Sequence, residues 1–164
     1  MINKIFLTTL LFTSSFSALA NENDIAVITD EKEKRLVFEQ CSRMTPTFRT
    51  SYRELDEKTV AKIEKLLPQA LAKVSSEKTI EKKDYYRQYV AFEVLRREMV
   101  YVNGIHKEAI KQWAADEPSR QQLLAQWQDK AINVCGGKQN YWGALYDDQA
   151  GQIVEVLFNT QGKK

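Results

Sequence analysis

Histidine is nearly absent from this chain: His106 is the only one. A metal site built on several imidazoles is therefore excluded, and a histidine-dependent triad has one candidate base. Only two cysteines occur, Cys41 and Cys135, in no Cys-x-x-Cys arrangement. No Gly-x-Ser-x-Gly, phosphate loop, dinucleotide fingerprint or His-Glu-x-x-His is present, so no cofactor is expected. Neither charge sign dominates. The formal net charge is +2, with both signs interspersed, which gives no electrostatic reason to expect nucleic acid or an anionic membrane as partner. Repeats, low-complexity tracts and Asn-x-Ser/Thr acceptors are missing as well. One apolar run opens the chain and no second one comes after it.

That opening run carries the clearest message. Met1 to Lys4 is short and basic, Ile5 to Phe16 is largely apolar, and Ala18-Leu19-Ala20 places small residues where signal peptidase cuts. Residues 1–20 read as a secretory signal peptide, too short to span a ~30 Å bilayer core as an anchor. Removing them takes away one charge, Lys4, and leaves 23 basic against 22 acidic residues, net +1. The expected product is exported, periplasmic or secreted, without a membrane span. In an oxidising compartment, two cysteines with no other choice should pair, and Cys41–Cys135 is the disulfide expected.

The longest patterned stretch runs from Asp84 to Trp113. Tyr85, Tyr89, Phe92, Leu95, Met99, Val102, His106, Ala109 and Trp113 recur every three or four residues, the spacing of one helix face. The phase carries across Asn103-Gly104, which predicts one long, bent helix at the centre of a bundle. Phe92 and Leu95 are expected in its core, with Arg87, Arg96 and Arg97 on the wet edge. Residues 21–28 read as a loose lead-in. Asp30 should cap a first helix carrying Leu36, Val37 and Cys41 inward. Thr45-Pro46 should start a second, with Phe48, Tyr52, Leu55, Val60, Ile63, Leu66 and Leu67 on its apolar face and a kink or restart at Pro68. Ser75 to Lys83 reads as a charged connector. Asp116-Glu117-Pro118 should start a last helix, burying Leu123, Leu124, Trp127, Ala131, Ile132 and Val134 before Gly136-Gly137 stops it. The tail changes character: Tyr141 to Tyr146 and Ile153 to Phe158 flank a turn-rich Asp147 to Gly151, a β-hairpin signal. Trp142, Ala144 and Tyr146 should share one face of its first strand, and Val154, Val156 and Phe158 one face of its second. The fold class expected is mainly α. It comprises four to five helices in one domain over residues 29–164, with a C-terminal hairpin at about 141–159 packed on the bundle.

Chemistry has few candidates. His106 lies on the apolar stripe, where a satisfied, partly buried ring is the simpler reading. A carboxylate-only hydrolase needs just two acids at the right separation, and Glu93, Glu98, Asp147 and Asp148 are the conceivable members. Aromatic residues are numerous, and Tyr and Trp with Arg are what interfaces use as anchors. Tyr86 and Arg87, beside the stripe, and Trp142, opening the hairpin, are the interface candidates. The function expected is protein binding, as an inhibitor or immunity protein of an envelope hydrolase or as a chaperone, with an unidentified envelope protein as partner. A carboxylate-dependent cell-wall hydrolase and a structural envelope protein are the alternatives.

Overall fold

The computed structural model describes residues 24–75 and 79–160. The signal peptide reading lies outside the described residues, as do residues 21–23 of the expected lead-in. Among the described residues, four α-helices flank a six-stranded mixed sheet. The fold is α/β, and the expected helical bundle is overturned.

The elements in order are β1 (Ile25–Val27), α1 (Glu31–Val37), β2 (Ser51–Arg53), α2 (Glu57–Val74), β3 (Tyr85–Val94), β4 (Arg97–His106), α3 (Lys107–Ala114), α4 (Pro118–Ala125), β5 (Tyr141–Asp147) and β6 (Gln152–Phe158). The sheet runs β1-β3-β4-β5-β6, with β2 also on the outer side of β3. β1 pairs parallel with residues 87–89 and β2 antiparallel with 91–93, so two short strands share that edge.

The central error concerns Asp84 to Trp113. This stretch is a hairpin, β3 and β4 paired along their whole lengths, followed by α3. Two features hid it. Both faces of the sheet are covered, so the strands carry apolar residues on both sides and the alternation that marks a half-wet strand vanishes. Residues spaced by three and four can then be picked from such a run at will. The loop is also unusual: Leu95 and Arg96 form a two-residue turn with φ of 49° and 66°, where glycine or asparagine is the normal signal. Leu95, expected inside, is 83% exposed at its tip, while Phe92 is fully buried. The β-branched and aromatic content of residues 85–105 was the signal for strands.

Gly104 marks no helix end. It sits in β4 between Arg87 and Trp142, and a Cβ there would come within 2.1 Å of the Trp142 ring. The indole crosses β4 only because that position has no side chain.

Three layers result. On one face, Tyr85, Tyr89 and Ala91 of β3, Val100 and Val102 of β4, and Trp142, Ala144 and Tyr146 of β5 pack under Ile63, Leu67 and Leu71 of α2. On the other face, Val90, Phe92, Met99 and Tyr101 meet Val37 and Phe38, while Ile105 and Tyr141 meet Ile110, Trp127, Ile132 and Val134.

Helix α2 begins at Glu57, with Asp56 accepting from the Thr59 amide at 2.8 Å, well after the expected Thr45-Pro46. Residues 44–50 instead contain no helix, turn or bend, Phe48 is 83% exposed, and Tyr52 lies in β2. Pro68 neither restarts nor ends α2. A proline at this position removes the hydrogen bond that the Glu64 carbonyl would accept, and the Lys82 ammonium donates to that oxygen at 2.8 Å.

Helix α4 stops at Ala125, short of the expected Val134. Residues 126–136 form a partly buried non-helical segment, with Trp127, Ala131, Ile132 and Val134 inside. Its backbone needs partners away from water, and amide side chains from the sheet supply them. Gln88 donates to the Trp127 and Lys130 carbonyls at 2.6 Å each and accepts from the Ile132 amide; Asn103 donates to the Ile132 carbonyl at 3.0 Å.

Other expectations hold. Asp30 caps α1, accepting from the Lys32 and Glu33 amides at 3.0 Å each. Cys41 and Cys135 are joined, with Cα atoms 5.4 Å apart. The C-terminal hairpin is β5–β6, with one refinement. A bulge opposite Leu145 and Tyr146 turns Val154 outward, and Ile153 takes its place in the core beside Val156 and Phe158. Residues 25–27, expected to be loose, pair with β3 as β1.

Candidate functional site

The three expected interface residues do not meet on a surface. Tyr86 and Arg87 are neighbours in a strand and so point to opposite faces. Tyr86 is half-buried, stacked on Trp127 with ring centroids 4.4 Å apart. Arg87 is 2% exposed under α2 and Trp142 is fully buried on the same face. The helix reading had placed Arg87 on a wet edge; in a strand of a doubly covered sheet, that position is core.

Arg87 is held by charge. Its Nε donates to Glu64 Oε1 at 2.6 Å, and Nη1 donates to the Lys82 and Tyr85 carbonyls at 2.6 Å each. Tyr89 donates to the same carboxylate oxygen, and the Lys82 ammonium lies 2.9 Å from Oε2. Burial pushes the Glu64 carboxyl up, but the Arg87 charge, the Tyr89 hydroxyl and Lys82 outweigh it and leave the group below its ordinary value. Burial, then Glu64, pushes the Tyr89 phenol well above its own. Every member has a partner inside the cluster, which therefore reads as an internal fastening of α2 to β3.

The carboxylates named as catalytic candidates collect near the hairpin ends, and two of them, Glu98 and Asp147, are committed to structure. Glu93 and Glu98 are cross-strand partners, and Glu98 pairs with Arg53 at 2.8 Å. Asp147 is 2% exposed, accepting from the Ala150 amide at 3.0 Å and from Arg97. Asp148 opens the adjacent turn, its amide donating to the Glu98 carbonyl at 3.0 Å. His106 caps α3, accepting from the Ala109 amide at 3.3 Å through Nδ1, with the Tyr85 ring against it edge-on. A cavity beside these two rings, lined also by Glu81, Asp84 and Gln139, holds about 50 Å³. That is far below the ~300–1,000 Å³ of a typical small-molecule site. Among the described residues no three His, Cys, Asp or Glu side chains are grouped to hold a metal ion. No helix there is long and apolar enough to cross a membrane.

What the sequence reading missed is the segment from Cys41 to Thr50. Its first residues are locked down. Cys41 is tied to Cys135, and Ser42 Oγ accepts from the Gly136 amide at 2.7 Å. Arg43 is 8% exposed, its guanidinium donating to the Tyr101 hydroxyl at 2.8 Å and to the Asn159 and Asn103 side chains. Gly143 makes the space, since a Cβ there would come 2.3 Å from the Tyr101 hydroxyl. Burial pushes the Tyr101 phenol up, opposed by the Arg43 charge.

The last residues are locked too. The Thr50 amide and hydroxyl donate to the Glu93 carbonyl at 2.8 and 2.9 Å, and Ser51 continues into β2. Between these anchors, residues 44–50 contain no helix, turn or bend. Thr45 Oγ1 donates to the Phe38 carbonyl at 2.5 Å, Arg49 donates to the Pro46 carbonyl, and the Arg49 guanidinium lies 4.3 Å from the Phe38 ring centroid. On this braced strap Met44 is 77% and Phe48 is 83% exposed. Thr50 joins β3 at Glu93, two residues before Leu95, so the strap reaches the sheet beside the exposed Leu95 tip. The available signal was Pro46 and the threonines around it, weak helix formers that the helix reading overrode.

Comparison with protein-family models, with curated proteins and with solved structures found no match.

Proposed function

We propose that this protein is exported and acts by binding another protein, through the strap of residues 44–50 and the adjacent Leu95 turn. One observation carries the reading: Met44 and Phe48 are held out in water on a segment that is pinned at both ends and braced in between. A large apolar side chain left exposed on a loose loop means little, because such a loop can fold it away. Here the disulfide, the buried Arg43 and the Thr50 pairing forbid that retreat. Binding then orders few residues, so most of the contact energy appears as affinity. The disulfide fits an oxidising compartment, and Phe and Met are among the residue types enriched in interfaces.

The test is affinity capture of the tagged, disulfide-intact protein from its own envelope fraction, then affinity measurements on variants. Phe48→Ser and Met44→Ser should each weaken the captured complex by more than about tenfold, the loss typical of an anchor residue. Neither should move the thermal midpoint. Full affinity in both variants overturns the reading.

A further inference from the structure

Resting on that reading, we propose that the partner is a serine endoprotease with an uncharged primary pocket. Phe48 fills that pocket, and the strap binds as a substrate whose cut ends are not released.

Such enzymes take their substrates in extended form and select the side chain just before the scissile bond in a shaped pocket. Residues 44–50 contain no helix, turn or bend, as that form requires. Thr47 and Phe48 on one side of the Phe48–Arg49 bond, and Thr50 and Ser51 beyond it, are exposed, while the Thr50 amide stays bonded to the Glu93 carbonyl. Phe48 is the more exposed of the two large apolar side chains on the strap and carries no charge, which fits an apolar slot and excludes a pocket built for lysine or arginine.

The braces decide the outcome of an attack on this bond. The enzyme's serine oxygen adds to the Phe48 carbonyl carbon. The Phe48–Arg49 C–N bond breaks, and the serine proton passes through the enzyme's histidine to the Arg49 nitrogen. Phe48 is left as an ester of the enzyme and Arg49 as a free amine. In an ordinary substrate that amine diffuses away and water completes hydrolysis. Here it is retained. Arg49 is tied across the broken bond to the Pro46 carbonyl and lies against the Phe38 ring, while Thr50 is bonded to Glu93 and Ser51 paired in β2. The ester side is retained by Thr45 on Phe38, by Arg43 in its amide cage and by the Cys41–Cys135 bond. Amine and ester stay at high effective concentration, so the peptide bond re-forms faster than water enters.

The full disulfide-intact chain is incubated with chymotrypsin and with subtilisin, both of which accept aromatic residues, and with trypsin as the charged-pocket control. Residual activity is read on small chromogenic substrates, and cleavage by mass spectrometry after reduction. Stoichiometric inhibition of at least one of the first two is expected, with Phe48–Arg49 as the cut site and intact and cut forms reaching a stable mixture. Phe48→Ala should weaken inhibition by about 100-fold, the scale of a dominant anchor, and Phe48→Arg should redirect it to trypsin. Arg49→Ala, which frees the new amine, should turn inhibitor into substrate. Rapid, complete cleavage without inhibition, or no inhibition of either enzyme, overturns the proposal. If Phe48→Ser still abolishes capture of a partner, protein binding stands and protease inhibition alone has failed.

Discussion

Arg87 and Gln88 are adjacent in β3, yet each enters a buried polar cluster of a different kind on opposite faces of the sheet. Under α2, Arg87 meets Glu64, Lys82 and Tyr89, a cluster held by full charges. On the other face, Gln88 joins Asn103, Asn159 and Arg43, and apart from the one guanidinium every member is neutral. The charged cluster fastens one regular element to another. The amide cluster stands in for secondary structure, giving partners to the backbone of residues 126–136 where no helix or strand does so. Ion pairs are concentrated attachments; amides are spread ones, matched to donor and acceptor in turn.

Breaking the charged side should have the largest effect. Arg87→Ala leaves the buried Glu64 carboxylate with only Lys82 and the Tyr89 hydroxyl and should destabilise the fold by about 3–5 kcal/mol in urea unfolding. Replacing both cysteines with serine tests the anchor of the opposite face. Freeing a connection across 94 residues should cost about 2–4 kcal/mol and lower the thermal midpoint clearly. Gln88→Ala should cost about 1–3 kcal/mol by stranding the backbone groups it serves.

Acid then sharpens the contrast. The folded pKa of Glu64 lies below its ordinary 4.5, so its contribution is complete above that value and is lost as pH falls through the lowered one. Glu64→Gln should therefore remove part of the stability loss between neutral and acid pH. Gln88→Ala should lower stability by a similar amount at every pH; unfolding curves at pH 7 and pH 3 decide it. The smallest effect belongs to neither face. Changing Leu95 to Asn together with Arg96 to Gly should relieve two positive-φ residues and raise stability by about 1 kcal/mol.

Features written locally were legible. Asp30 before an acidic turn is a cap, two cysteines allow one pairing, and Asp147 to Gly151 between two aromatic runs is a hairpin. What needed the rest of the molecule was lost. Tyr85 to His106 buries side chains on both faces because helices and a further segment cover both, and no window of sequence shows that cover. Leu95-Arg96 turns the chain without the residues that announce a turn. Val154 leaves the core through a bulge that the 153–158 pattern does not mark. Arg87 and Trp142 suggest an interface by residue type and by their places beside the helix stripe and at the hairpin opening, and their burial comes from Glu64 and Gly104, far away in sequence. The strap was hidden because Phe48 and Tyr52 suit a helix face, while the disulfide partner that anchors its start, Cys135, lies outside the window.

The substitution of Lys82 for the bond that Pro68 removes has a kinetic consequence. A helix normally completes its own ladder, so it can form and fray alone on the sub-microsecond scale. Helix α2 cannot, since one of its interior carbonyls waits for a side chain that arrives with the approach to β3. Its middle turn therefore closes in the same step that brings the first long strand beneath it. Helix and sheet are coupled in time as well as in space, and an excised 57–74 peptide would lack the residue that closes it.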